Sequence, residues 1–254
     1  MKIITWKPGK TALLGLALAV CLAGYAALWP STAGAYATDK PLPIYCVDTQ
    51  QKICSISFDA AWGNEDTQAL IDILARYNVK ATFFCVGDWA EKYPESVKAL
   101  HEAGMEVMNH SNHHDHYNAL SAQQIVADVT ACNDKVKAIT GIAPTLIRCP
   151  YGEYDDHVIS AIRSMGMEPI QWDVDSLDWK DYDAGTICKR VRDKLAPGSI
   201  VLFHNAALHT PEALPSVLEH MIREGYTVVP IGQLIYWENY TIDHTGRQFP
   251  AQSE

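Results

Sequence analysis

Nearly half of the 254 residues are apolar (48%) and a fifth are charged, which excludes disorder over most of the chain and leaves room for one large α/β domain or two small ones. The formal net charge of −10 argues against nucleic acid, whose binding neutralises phosphates with Lys and Arg, and against anionic wall polymers held by charge alone. A neutral polymer suits such a chain better.

The first 37 residues differ from all that follow. Lys2, Lys7 and Lys10 precede an uncharged apolar run from Thr11 to Trp29, and the first acidic residue is Asp39. Small residues then offer "AGA" (33–35) and "AYA" (35–37) to a signal peptidase. This pattern reads as an export signal. The run is longer than a usual signal core of ~7–15 residues and falls within the ~17–25 residues of a membrane span. Residues 1–37 therefore fit a cleaved signal peptide and an uncleaved anchor equally, and membrane contact is expected only through them. Losing the three lysines would take the charge from −10 to −13.

Residues 38–52 read as a linker and lead-in strand. Beyond the leader lie Cys46, Cys54, Cys85, Cys132, Cys149 and Cys188 with no CxxC pair, which argues against a zinc–thiolate site. An even number in an exported chain permits disulfides, and Cys46 and Cys54 would be close if their segments form a hairpin. The apolar settings of Cys85 and Cys132 favour simple buried thiols.

From Ile53 onward, short apolar runs alternate with helical periods. The runs are "ICSISFD" (53–59), "ATFFCVG" (81–87), "MEVMNH" (105–110), "LIRCP" (146–150), "EPIQWDV" (168–174), "SIVLFHN" (199–205) and "TVVPI" (227–231). They are almost continuously hydrophobic, as strands buried on both faces should be. Helical spacing marks 65–78, then 121–140 behind the capping box Ser121–Gln124, then 210–225 ending at Gly225. The alternation implies a parallel sheet in one domain, a single distorted (β/α) barrel of about seven strands over residues 53–236. The tail, 237–254, has no periodic apolar face and is expected to be flexible.

Ionisable and polar side chains stand where these strands end: Asp59, His110, Arg148 and His204, with "DVDSLDW" (173–179) after the fifth run. In a parallel barrel the C-terminal strand edges converge on one mouth. The loop "NHSNHHDHYN" (109–118) adds a cluster of histidines. His110 and His114, four apart, would fall on one side of a helical turn and can share an ion, with Ser111 steadying the loop between them. His113 and His116 are expected to face solvent or to support the site from outside.

"SFDAAWG" (57–63), "HSNHH" (110–114), "RCPYG" (148–152), "DSLDW" (175–179) and "VLFH" (201–204) resemble, in order, the five motifs of the polysaccharide deacetylases, carbohydrate esterase family 4. The resemblance runs from about Ile53 to Tyr236, and the "FDAAWG" form looks most like the sporulation-associated branch of Gram-positive bacteria. It implies that Asp59 is a catalytic base, held by Arg148, and that His110 and His114 are metal ligands. It further implies that the Tyr151 backbone N–H stabilises an oxyanion and that His204 is the general acid, supported by Asp178. Trp179 and Leu202 would wall the acetyl methyl. The implied cofactor is a divalent metal, foremost zinc.

One position departs from the family. Most members carry two adjacent aspartates in the first motif, the second ligating the metal, and here that place is Ala60. A catalytic zinc usually takes three protein ligands. Two histidines with extra water, or a substitute among Glu65, Asp66 and Asp115, remain open.

The resulting expectation is an exported, monomeric, metal-dependent N-deacetylase of N-acetylhexosamine polymers, foremost peptidoglycan. Two alternatives stand beside it: a non-catalytic wall-glycan-binding protein with a degenerate metal site, and an O-acetyl xylan esterase.

Overall fold

The structure, a computed structural model, describes residues 40–251; the leader assigned to residues 1–37 lies outside them. The strands are β1 (Cys46–Val47), β2 (Ile53–Ala60), β3 (Thr82–Cys85), β4 (Glu106–Asn109), β5 (Leu146–Ile147), β6 (Glu168–Pro169), β7 (Val174–Asp175), β8 (Ile200–His204), β9 (Thr227–Val228), β10 (Tyr240–Ile242) and β11 (Arg247–Pro250). The helices are α1 (Thr67–Arg76), α2 (Gly87–Lys92), α3 (Pro94–Glu102), α4 (Ala122–Thr140), α5 (Asp156–Ser164), α6 (Ala184–Lys194), α7 (Thr210–Arg223) and α8 (Ile231–Leu234), with short 3₁₀ turns between.

The main sheet runs β6-β5-β4-β3-β2-β8-β7, all parallel, with β9 also pairing β2. It is the curled half-barrel that alternating strands and helices imply. Its two edges, β6 and β7, are separated in sequence by residues 170–173 only, so the sheet must bend round until they approach. The run 168–174, expected to be one strand, is in fact divided between those edges. The lead-in segment lies in the seam: Ile44 bridges Ile170, and Cys46 bridges Ser199.

β2 shows how the sheet aims its side chains. Cys54, Ile56, Phe58 and Ala60 join the main apolar core, where Phe58 stacks on Phe83 at 4.7 Å and Phe203 at 5.7 Å. Ser55 and Ser57 alternate with them and satisfy carbonyls of Val229 and Val201. The period of two thus places Asp59 on the serine face, at the strand's carboxyl end.

The helices end as local chemistry dictates. In α4, Ser121 Oγ accepts from Gln124 N–H while Gln124 Oε1 accepts from Ser121 N–H, the reciprocal capping box. Asp155 and Asp183 cap α5 and α6 through their carboxylates.

The tail corrects the sequence reading. Residues 240–250 form an antiparallel hairpin, and β11 pairs β1 in parallel, giving a three-stranded sheet β1-β11-β10. Its order comes from polar groups, which is why apolar periodicity missed it. Gln248 is fully buried and exchanges hydrogen bonds with both backbone groups of Tyr236 (2.9 and 2.6 Å). Gly246, at φ +81°, makes the turn, where a Cβ would lie 2.2 Å from the Tyr45 ring. All six cysteines after the leader are free thiols, and Cys46 and Cys54 sit on parallel-sheet elements rather than on a hairpin.

Candidate active site

Strand register brings the polar residues together. Asp59 on β2 is the Cα partner of His204 on β8. On the other side, Ala60 pairs with Cys85, Cys85 with Asn109, and Asn109 with Ile147. His110 and Arg148 are therefore the first residues past their strands, two positions beyond the level of Asp59 and so on its face of the sheet. A cleft of about 540 Å³ opens there, lined by Asp59, Trp62, His110, His114, Tyr151, Gly152, Trp172, Asp175, Trp179, Leu202 and His204. Seven of the nine residues singled out from the sequence line it; Arg148 and Asp178 lie fully buried behind it.

Arg148 Nη1 donates to Asp59 Oδ1 at 2.7 Å, and Nη2 to the carbonyl of Gln171 at 3.0 Å. The guanidinium lies over Phe84 (4.3 Å) and Trp172 (5.5 Å), which fixes its plane. Burial alone would raise the Asp59 pKa; the charge of Arg148, followed by those of His110 and His204, overcomes burial and holds the carboxyl below its usual range. Asp59 stays ionised although it is buried.

The second pair mirrors the first with opposite charge logic. His204 Nδ1 donates to Asp178 Oδ1 at 2.8 Å, and the His204 backbone N–H to Oδ2 at 2.8 Å. Thr210 Oγ1 (2.6 Å) and Trp179 N–H (2.9 Å) complete the Asp178 carboxylate. Burial pulls the His204 pKa down, but the hydrogen bond and charge of Asp178, helped by Asp59 and Asp175, outweigh it and raise the pKa overall.

The histidine loop is strained to present its rings: Ser111 has φ +70° and His114 φ +62°. Ser111 Oγ accepts from the His114 backbone N–H at 2.8 Å, and Asn109 Oδ1 from Ser111 N–H at 2.7 Å. His110 Nδ1 donates to the Arg148 carbonyl at 2.7 Å, which leaves Nε2 as the ring's acceptor, 3.5 Å from Asp59 Oδ2. The His114 ring stands edge-on to His110, 5.0 Å between centroids. Burial lowers the pKa of His110; burial, then the neighbouring His110, lower that of His114 to about 4. Two neutral imidazoles at one cleft are the form a metal binds. His113 turns outward to Asp88 (2.8 Å), and His116 pairs with Glu153 (2.6 Å) while stacking on Tyr151 at 4.2 Å.

This donor set fits a divalent cation held by two imidazoles and falls one protein ligand short of the usual catalytic zinc set. Ala60 is fully buried in the apolar core. None of the suggested substitutes lines the cleft: Glu65 accepts from Asn64 N–H, Asp66 from Ala206 N–H, and Asp115 is exposed. Among the described residues, no group of three or more His, Cys, Asp or Glu is arranged to hold a metal.

Trp62, Trp172 and Asp175, to which the motifs assign no role, also line the cleft. Trp62 and Asp175 stand inside motifs already quoted, but the direction of Trp62 depends on the loop after β2 and that of Asp175 on the register of β7 against β8.

Residues 47–170 match the family described as polysaccharide deacetylase. The chain is 33% identical over 188 residues to the peptidoglycan-N-acetylmuramic acid deacetylase PdaC of Bacillus subtilis, covering 74% of this chain and 40% of that protein. It therefore spans less than half the length of this curated relative. The wild-type structure of BA3943, a CE4 family pseudoenzyme from Bacillus anthracis, matches with TM-score 0.74 and 33% identity, over 76% of this chain and 69% of that one. A BA3943 mutant with restored enzymatic activity matches at TM-score 0.73 and 34% identity, over 76% and 71% of the two chains.

Proposed function

This chain belongs to the polysaccharide deacetylase family, and from that premise we propose that it removes N-acetyl groups from N-acetylhexosamine polymers, peptidoglycan strands foremost. One observation carries the reading. An ionised carboxylate, Asp59, and an imidazole biased toward its protonated form, His204, stand in register on adjacent strands and face one cleft.

In this reading Asp59 takes a proton from the water that attacks the acetamide carbonyl, while Arg148 keeps the carboxylate ionised and oriented. The backbone N–H of Tyr151 supports the oxyanion. Trp179 and Leu202 enclose the acetyl methyl. His204 then donates its proton to the departing amine nitrogen as the C–N bond breaks, releasing acetate and a free amine; Asp178 stabilises the imidazolium beforehand. His110 and His114 would hold a divalent cation, zinc in first place, which when bound supplies an electrophile for the water and the carbonyl.

The likeness to a peptidoglycan deacetylase supports action outside the cytoplasmic membrane, on the wall side. Export through residues 1–37, as signal or anchor, action as a monomer and membership of the sporulation-associated branch belong to the same proposal. A second reading, a glycan-binding protein without catalysis, is favoured by Ala60 and by the likeness to a pseudoenzyme.

Acetate release separates them. The full chain, with and without added Zn²⁺, is offered peptidoglycan, N-acetylglucosamine oligomers and acetylated xylan. Zinc-dependent acetate from the first two is expected. Glycan binding without acetate at saturating zinc favours the second reading, and acetate from xylan alone would make the protein an esterase.

A further inference from the structure

The mouth of the cleft carries aromatic surface that the chemistry above leaves unused. Trp62 lines the cleft yet is 60% exposed. It is also held there. Asn205, directly after His204 and 4% exposed, accepts from the Ala61 N–H at 3.1 Å and donates its amide to the carbonyls of Trp62 and Gly63. Trp89 Nε1 donates to the same Gly63 carbonyl, and Gly63 takes φ +47°. A buried amide and an indole thus fix the backbone that presents the Trp62 ring, instead of letting the ring fold onto the core.

Its neighbours continue the surface. Trp62 stands 5.4 Å from the His114 ring, and Tyr151, a residue 59% exposed, lies 4.5 Å from the same ring. Both exposed aromatics thus pack against one member of the histidine pair. A rigid, flat aromatic beside polar groups offers contact area at little entropic cost. The C–H face of a pyranose, rimmed by hydroxyls, has the complementary chemistry.

Resting on the deacetylase reading, we infer that Trp62 is a stacking platform for the sugar next to the one being deacetylated, with Asn205 as its positioning residue. The cleft then selects oligomers over single sugars. Only the sugar beyond the reacting one touches Trp62, so its loss weakens oligomers and spares the monomer.

The test measures binding of N-acetylglucosamine and its tetramer to the full zinc-loaded chain by calorimetry, and KM and kcat for acetate release from the tetramer. Trp62→Ala is expected to weaken tetramer binding roughly tenfold, the scale of losing one interface aromatic, with KM rising and kcat little changed. Monomer binding should hold within about twofold. Trp62→Leu keeps apolar bulk without a flat face and should behave like Trp62→Ala, while Trp62→Phe should retain most affinity. Unchanged tetramer affinity, or equal weakening of monomer and tetramer, overturns the inference and leaves the deacetylase reading standing if wild type still releases acetate. A wild type that binds neither sugar and releases no acetate overturns both.

Discussion

The two halves of the cleft are unequally equipped. The proton-handling half keeps every partner: Arg148 on Asp59, and Asp178 on His204, each at hydrogen-bond distance and each with its supporting group buried. The cation-handling half has two oriented imidazoles and, at the third place, a methyl group packed in the core. A family fold can therefore keep its acid–base machinery while its metal set thins. On the proposed reading, catalysis at such a site depends on how well two histidines retain the cation.

The largest effect is expected where the intact half is broken from behind. Arg148→Met strands a buried carboxylate, and loss of one partner of a buried ion pair costs about 3–5 kcal/mol. Urea unfolding should show that loss; a change below about 1 kcal/mol, within the range of exposed ion pairs, would mean that Asp59 finds water when Arg148 is gone. Asp59→Asn comes next, with kcat/KM falling at least ~10²-fold, the low end of general-base contributions, while zinc retained after dialysis stays unchanged. Loss of zinc in this variant would merge the two halves, making Asp59 a ligand and leaving the base unidentified.

The strands were legible because residues such as Ile200 and Leu202 on one face of β8, and Val201 and Phe203 on the other, are all buried. The cleft lining was legible because the polar side chains singled out stand where such runs end. What escaped was set by three-dimensional closure. Glu168–Pro169 and Val174–Asp175 read as one apolar run, yet they belong to opposite edges of the curled sheet. The Gln248 hairpin is held by amide hydrogen bonds that carry no periodic signal. Ala60 was visible as a departure, but its place in the apolar cluster was not.

The depleted half yields subtler tests. His110→Ala or His114→Ala should abolish zinc retention, whereas His113→Ala, at an exposed ring facing Asp88, should leave retention and stability nearly unchanged. Equal loss at His113 would reassign the pair. Ala60→Asp puts a carboxylate where a methyl is buried, so the zinc-free melting temperature should fall, and added zinc should raise it more than in wild type. An equal zinc shift in both proteins would show that position 60 cannot reach the cation.

The acid–base pair itself is tested most directly by the pH profile of kcat/KM for acetate release, wild type against Asp178→Asn. His204 works as an acid only while protonated, and its pKa is raised by Asp178, so wild-type activity should fall as pH rises through that raised value. The same protonation contributes stability that is complete below the ordinary histidine pKa of about 6.5 and is lost through the alkaline limb. Removing the Asp178 charge should move that limb to lower pH. An alkaline limb that stays in place when Asp178 becomes Asn would contradict His204 as the general acid.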